Sequence, residues 1–108
     1  MENSMAKTYD TNIAHFLDKD GELLEVSGPA RKLASFLVLL IDATTQAFPA
    51  RDYDTHIRCR VRGCTGSIRT SLEAVEESVV WVCPVCGQNG TISNWQATKW
   101  DQRGMRTR

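Results

Sequence analysis

The sequence carries no net charge and no long apolar segment. Its 108 residues include 13 basic and 13 acidic side chains, so no overall field attracts a polyanion. The longest continuous apolar run, Phe36 to Ile41, is far below the roughly 18 residues that a membrane span needs. The first ten residues are polar and contain no apolar stretch of the signal-peptide type. We therefore expect a cytoplasmic protein without a membrane partner.

The sequence also has few of the groups on which common enzymes depend. Its two histidines, His15 and His56, do not accompany a nucleophile in any hydrolase motif. It contains no glycine-rich phosphate loop and no His-x-Glu motif of the zinc deaminases. No small-molecule substrate is evident from these patterns, and we expect a non-enzymatic protein.

The four cysteines form two pairs, with 18 residues between the pairs. In a chain without a secretion signal, paired thiols indicate metal ligands more often than disulfides, although two disulfides stay an alternative. Four thiolates that converge on one point suit tetrahedral Zn²⁺. The sequence therefore predicts a structural Zn²⁺ site, with His56 near the surface rather than among the ligands. The predicted ligands are Cys59, Cys64, Cys83 and Cys86.

A dithiol redox protein is a more distant interpretation of the second pair. The segment Cys83-Pro84-Val85-Cys86 resembles the dithiol of glutaredoxin-like proteins, which opens a helix in a βαβ scaffold. Here a strand-like segment follows, and only 22 residues remain after Cys86. The upstream pair, Cys59 and Cys64, completes a set of four metal ligands with Cys83 and Cys86, whereas a redox dithiol would leave the upstream pair without a role.

Residues 30–47 are predicted to form one long helix. Its apolar positions include Leu33, Phe36, Leu37, Leu40 and Ile41, which recur at helical three- and four-residue spacing. Ser27 or Gly28 can cap the helix, Pro29 suits its first position, and Pro49 ends it. Val38 and Leu39 lie off the apolar stripe. The helix is therefore either wrapped by its own domain or buried against a second copy in a homodimer.

The second half predicts a short sheet attached to the metal site. The segments 67–72, 79–82 and 91–95 alternate or contain β-branched and aromatic residues, as strands do. The resulting fold class is α+β, with an N-terminal arm and one long apolar helix followed by a three-stranded antiparallel zinc ribbon. We divide the chain into a flexible N-terminus (1–12), the arm plus helix (13–55), the zinc ribbon (56–101) and a flexible tail (102–108).

Basic residues concentrate around the first cysteine pair. Four arginines and no acidic residue lie between His56 and Leu72. A positive patch of this kind is typical of surfaces that bind nucleic acid. The candidate contact residues are Arg58, Arg60, Arg62 and Arg69. Trp81, Trp95 and Trp100 are candidate stacking rings, but we expect Trp81 and Trp95 to pack in the core.

The second half also resembles a group of small bacterial zinc-ribbon proteins of uncharacterised function. The shared residues lie between positions 15 and 101 and are most specific around the cysteines. They include Arg58-Cys59-Arg60, Cys64-Thr65-Gly66-Ser67-Ile68, Trp81-Val82-Cys83-Pro84-Val85-Cys86-Gly87, Gly90-Thr91-Ile92-Ser93, Trp95 and Thr98-Lys99-Trp100-Asp101. The group often has an acid at position 88, where this chain has Gln88, and a glycine at 94, where it has Asn94. The resemblance implies a metal-binding ribbon with a helical N-terminal part and no established activity.

These patterns favour a small zinc-stabilised binding module with nucleic acid as its partner. The alternative is a protein-interaction or dimerising adaptor in which helix 30–47 makes the contact and the arginines are merely solvated. The dithiol redox protein ranks third.

Overall fold

The computed structural model has a mixed five-stranded sheet and, among the described residues, one α-helix. It describes residues 8–25, 28–72, 78–96 and 98–103. The elements, in chain order, are β1 (Thr8–Asn12), a 3-10 turn (Ile13–Phe16), α1 (Pro29–Gln46), β2 (Ala50–Arg58), β3 (Ser67–Leu72), β4 (Val79–Val82) and β5 (Asn89–Ser93). Helix α1 packs against β2, β3 and the 3-10 turn.

The predicted fold class, with its long apolar helix and three-stranded antiparallel zinc ribbon, is wrong. The strand order in the sheet is β1-β5-β4-β3-β2, with β1 parallel to β5 and every other neighbouring pair antiparallel. The three strands expected for the ribbon correspond to β3, β4 and β5 at the middle of this sheet. One further strand extends the sheet on each side.

Strand β2 was missed because its sequence is charged and its backbone is irregular. The sequence analysis assigned most of this strand to the arm-plus-helix unit (13–55) and its last residues to the zinc ribbon (56–101). Positive φ angles at Asp52 and His56 and two register shifts interrupt its pairing with β3. Charged residues and bulges are typical of an edge strand, where they oppose pairing with other chains, and they erase the alternation by which strands are recognised.

Strand β1 lies in a segment that the sequence analysis assigned to the flexible N-terminus. It contains no alternating apolar pattern, and its pairing partner β5 lies about 80 residues further along the chain. Side-chain hydrogen bonds support the pairing, from Thr8 Oγ1 to Asn89 Oδ1 at 3.1 Å and from Thr91 Oγ1 to Asp10 Oδ1 at 3.0 Å. The parts of the predicted flexible ends at 1–7 and 104–108 lie outside the described residues.

The predicted arm forms a tight turn. The Asp18 carboxylate accepts hydrogen bonds from the backbone N–H groups of Asp20 and Glu22, at 2.8 and 3.0 Å. Gly21 has a φ of 82°, and an antiparallel bridge joins Leu17 to Leu23. Aspartate and glycine favour such turns, because the carboxylate accepts from nearby backbone N–H groups and glycine tolerates a positive φ.

Helix α1 buries most of its apolar side chains against the sheet. It begins with Pro29 after Gly28 and ends at Gln46, within a residue of the predicted bounds at each end, while the candidate cap Ser27 lies outside the described residues. Its buried apolar residues include Phe36, Leu37, Val38, Leu40 and Ile41. Leu39, by contrast, is 54% exposed. No helix in the described ranges combines the length and apolarity needed to cross a membrane.

An aromatic pair spans the sheet across Gly90. In the strand register, Gly90 of β5 lies between Tyr9 of β1 and Trp81 of β4. The rings of Tyr9 and Trp81 stack at 6.1 Å between centroids, and Phe36 of α1 meets Trp81 edge-on at 5.4 Å. Trp81 and Trp95 are both buried, as expected from the sequence. The helix, the middle strands and β1 therefore meet around Trp81.

We predict that Gly90→Ala weakens this junction. A Cβ at position 90 would clash with the Tyr9 carbonyl oxygen and lie 2.8 Å from Trp81 Nε1. Overpacking of this kind costs about 1–3 kcal/mol, which urea unfolding measures directly. The control Ser93→Thr adds a methyl group to the same strand at a half-buried position and should change stability by less than about 0.5 kcal/mol. Equal stability of the two variants would contradict the prediction.

Candidate metal centre

The sheet topology brings the two cysteine pairs to one place. Cys59 directly follows β2, and Cys64 lies in the loop before β3. Cys83 directly follows β4, and Cys86 lies in the loop before β5. Because β2 to β5 form an antiparallel meander, the β2–β3 loop and the β4–β5 loop emerge at the same end of the sheet. The loops carry their sulfurs towards each other there.

The four sulfur atoms have the spacing of a tetrahedral metal site. All lie within 4.8 Å of one another. The Sγ atoms of Cys59 and Cys86 are 3.7 Å apart, and those of Cys64 and Cys83 are 3.6 Å apart. Sulfurs placed about 2.3 Å from a central Zn²⁺ form a tetrahedron with edges of about 3.8 Å. The residues therefore fit a metal ion, and they match the ligand set predicted from the sequence.

Each loop is closed by backbone hydrogen bonds. In the first loop, the N–H of Cys59 donates to the carbonyl of Gly66, and that of Cys64 donates to the carbonyl of Val61, both at 2.9 Å. In the second, the N–H of Cys83 donates to the carbonyl of Gln88 and that of Gly87 to the carbonyl of Cys83, both at 2.8 Å. These bonds position the sulfurs through the backbone, independently of any bound metal.

Backbone amides also face the sulfurs. The N–H of Val61 lies 3.5 Å from the sulfur of Cys59, and that of Gly66 lies 3.4 Å from the sulfur of Cys64. Such donors stabilise a thiolate and orient it towards a metal. Both amides belong to the residue two positions after the ligand, so the loop backbone itself supplies them.

The thiols do not all ionise alike without a cation. Burial alone raises the pKa of Cys83, but the backbone N–H groups of Cys86 and Val85 and the neighbouring thiols outweigh it and lower that pKa to about 7. Burial raises the pKa of Cys59 to about 12. Several thiolates at this separation repel one another, so a divalent cation is the partner that stabilises the fully deprotonated set.

Gly66 occupies a position where a side chain has no room. A Cβ at residue 66 would lie 2.6 Å from the sulfur of Cys83 and 2.9 Å from Cγ2 of Val85. The first loop therefore approaches the second so closely that residue 66 has room for no side chain larger than the hydrogen of glycine.

The predicted arginine patch divides into two groups. Arg58, Arg60 and Arg62 are exposed. Arg69 is instead paired, with its Nε 2.6 Å from Asp52 Oδ1 and its guanidinium 3.8 Å from Asp54. These two acids come from the β2 segment before the acid-free stretch, so the strand pairing brings them to Arg69. His56 is 83% exposed and lies outside the sulfur cluster, near Asp54.

Two further basic residues, which the sequence analysis did not identify, lie near the arginine patch. Arg31 and Lys32 of α1 line an open groove of about 580 Å³ together with Arg58 and Arg60. Nothing in the sequence linked these two residues to the first loop, because they precede Arg58 by more than 25 residues. Only the packing of α1 on the sheet brings them together.

Comparisons with models of protein families, with curated proteins and with solved structures found no match for this chain. The resemblance to small bacterial zinc-ribbon proteins therefore stays a prediction. The sulfur geometry supports a metal site independently of that resemblance.

We predict that Cys83→Ser abolishes stoichiometric metal binding. Cys83 is fully buried, and its loss removes one of four ligands. Since a structural metal of this kind can contribute on the order of 10 kcal/mol, the variant should be destabilised by several kcal/mol. Elemental analysis of reduced protein and urea unfolding with and without a chelator measure the two effects. One metal ion per chain in the variant would contradict the assignment.

We also predict that Gly66→Ala weakens metal binding without removing a ligand. The added methyl group displaces the sulfur of Cys83 or the first loop, and disturbed ligand positioning typically costs about 10–100-fold in metal affinity. Competition with a chelating dye measures this change. Thr65→Ala, an exposed change in the same loop, is the matched control and should retain the affinity of the unaltered protein. Equal affinity in the two variants would show that the close approach is unimportant.

Proposed function

We propose that this protein is a non-enzymatic, zinc-stabilised module that binds nucleic acid. The observation that carries the proposal is the position of three exposed arginines, Arg58, Arg60 and Arg62, on and beside the loop that supplies two of the four sulfurs. A metal that fixes this loop also fixes the arginines.

Zinc is the metal that the ligand set favours. Four sulfur ligands at tetrahedral spacing suit Zn²⁺, whereas calcium and magnesium take oxygen ligands. Zn²⁺ would be held by Cys59, Cys64, Cys83 and Cys86 and would supply a cross-link between the β2–β3 and β4–β5 loops. Catalytic zinc sites keep one position for water or substrate, and four protein sulfurs leave none. This supports a structural rather than a catalytic role.

Nucleic acid is the partner that the charges favour. Arginine guanidinium groups bind phosphate with two parallel hydrogen bonds and remain charged at all physiological pH values. Arg60 also lies over the Phe36 ring, 5.7 Å from its centroid, which restricts its guanidinium near the first loop. Arg69 contributes less to the proposal because Asp52 and Asp54 neutralise it.

The dimerising adaptor has less support. Five of the six residues from Phe36 to Ile41 are buried inside the chain's own core, and Leu39 alone is exposed. A single leucine is a small apolar surface for a stable dimer, which typically buries about 800 Å² on each partner. Helix-mediated dimerisation stays a prediction that light scattering can test.

We expect binding to single- or double-stranded oligonucleotides to weaken steeply as salt is added, because phosphate contacts release counterions. Arg60→Ala and Arg62→Ala should each lower affinity about fivefold at ~100 mM salt and reduce the salt dependence by about one counterion. Fluorescence anisotropy of metal-loaded protein measures both quantities.

Lys19→Ala is the charge-matched control for these variants. Lys19 is exposed in the Asp18–Gly21 turn, far along the chain from the metal loops, and its removal should leave affinity unchanged. Binding that ignores salt, or arginine variants that behave like the Lys19 control, would overturn the proposed function.

A further inference from the structure

The open groove between α1 and the first metal loop combines a basic rim with an apolar floor. One wall is formed by the start of α1 and the other by the end of β2 and the loop that follows it. Its principal lining residues are Arg31, Lys32, Leu39, Ile57, Arg58 and Arg60. Its volume of about 580 Å³ lies in the range of pockets that bind ligands.

We propose that this groove binds a single strand of nucleic acid, with phosphates on the basic rim and bases against the apolar floor. The inference rests on the proposed function and adds to it the place of binding, the class of nucleic acid and two residues of α1. Arg31 and Lys32 contact phosphates from one wall, and Arg58 contacts them from the other.

The charge of the groove is the first argument. Its lining contains four cations, two from each wall, and no acidic residue, although Arg31 also borders a neighbouring pocket lined by Asp18, Glu22 and Glu25. Within the described part of the chain, none of these four side chains takes part in an ion pair. Like charges on facing walls repel each other, and a bound phosphate chain relieves that repulsion. Arg69 differs from these four cations, because Asp52 and Asp54 neutralise its charge.

The apolar floor favours a single strand over a duplex. Leu39 is 54% exposed and Ile57 is half-buried, and both line the groove, so they offer it apolar surface. Arg60, held over Phe36, offers a planar guanidinium on which a base can stack. A duplex keeps the faces of its bases inside the stack, whereas a single strand can place them against a protein.

An acidic peptide is the other occupant that the charges allow, and the backbone disfavours it. An extended peptide usually binds by adding a strand to a free sheet edge, and the free edge at this groove belongs to β2. Positive φ angles at Asp52 and His56 and the register shifts against β3 interrupt that edge. A nucleic acid binds through its phosphates and bases, so it does not need backbone hydrogen bonds to this sheet edge.

The test measures anisotropy of a labelled pyrimidine single strand of about a dozen nucleotides with the metal-loaded full chain. Lys32→Ala should lower affinity about fivefold at ~100 mM salt and reduce the salt slope by about 0.7, the value for one phosphate contact on a single strand. Lys19→Ala, which removes the same charge outside the groove, should change neither quantity. A duplex of the same sequence should bind at least about tenfold more weakly.

The floor is tested by an uncharged change. Leu39→Ser should weaken binding of the single strand about tenfold while leaving the salt slope unchanged, since it removes apolar contact and no charge. Val80→Ser is the matched control because Val80 is 48% exposed on β4 and does not line the groove. Urea unfolding of each variant separates loss of binding from loss of fold.

Each other outcome overturns a defined part of the inference. If Arg62→Ala weakens binding while Lys32→Ala and Leu39→Ser do not, the groove is not the binding site, and the proposed function stands. A duplex that binds as tightly as the single strand overturns the assignment of strand type. Displacement of the strand by a poly-glutamate peptide at equal charge, with the same dependence on Lys32 and Leu39, assigns the groove to acidic protein segments. No salt-dependent binding to any nucleic acid overturns both proposals.

Discussion

The convergence of two hairpin loops on four sulfur atoms is the constraint that organises this protein. The β2–β3 and β4–β5 loops are separate in sequence, and their approach is close enough that Gly66 faces the Cys83 sulfur with no room for a Cβ. Backbone hydrogen bonds shape each loop, but thiols without a bound metal contribute little to the stability of the contact between the loops. A divalent cation bound by all four sulfurs would stabilise that contact, because the two hairpins would share it. The position of the first loop, and hence of Arg60 and one wall of the groove, depends on this contact.

Local patterns in the sequence predicted the parts of the structure that local chemistry determines. The cysteine spacing identified all four members of the sulfur cluster, and apolar periodicity located α1 to within a residue at each end. The middle strands β3 and β4 were recognisable because their residues alternate or are β-branched. In each case the signal lies within one short segment and reflects burial on one side.

The rest depended on contacts between distant segments, and these left no local signal. The outer strands β1 and β2 are polar edge strands whose place is set by neighbours already in the sheet, so the predicted three-stranded ribbon was too small. The neutralisation of Arg69 by Asp52 follows from strand pairing, not from proximity in sequence. Arg31 and Lys32 reach the groove only because α1 lies across β2 and β3. A linear count of charge cannot show which arginines a fold leaves available.

The parallel pairing of β1 with β5 has a consequence for how the chain is made. Strands β2 to β5 follow one another along the chain, together with the two loops that carry the cysteines. They can therefore assemble as soon as this part of the chain leaves the ribosome. Among the described strands, β1 is synthesised first, yet its partner Asn89–Ser93 appears about 80 residues later. Until β5 is made, β1 lacks its pairing partner, and β5 then presents an open edge until β1 pairs with it. Of the described strands, β1 therefore pairs last, and it covers the edge of β5 and becomes the polar edge strand of the sheet itself.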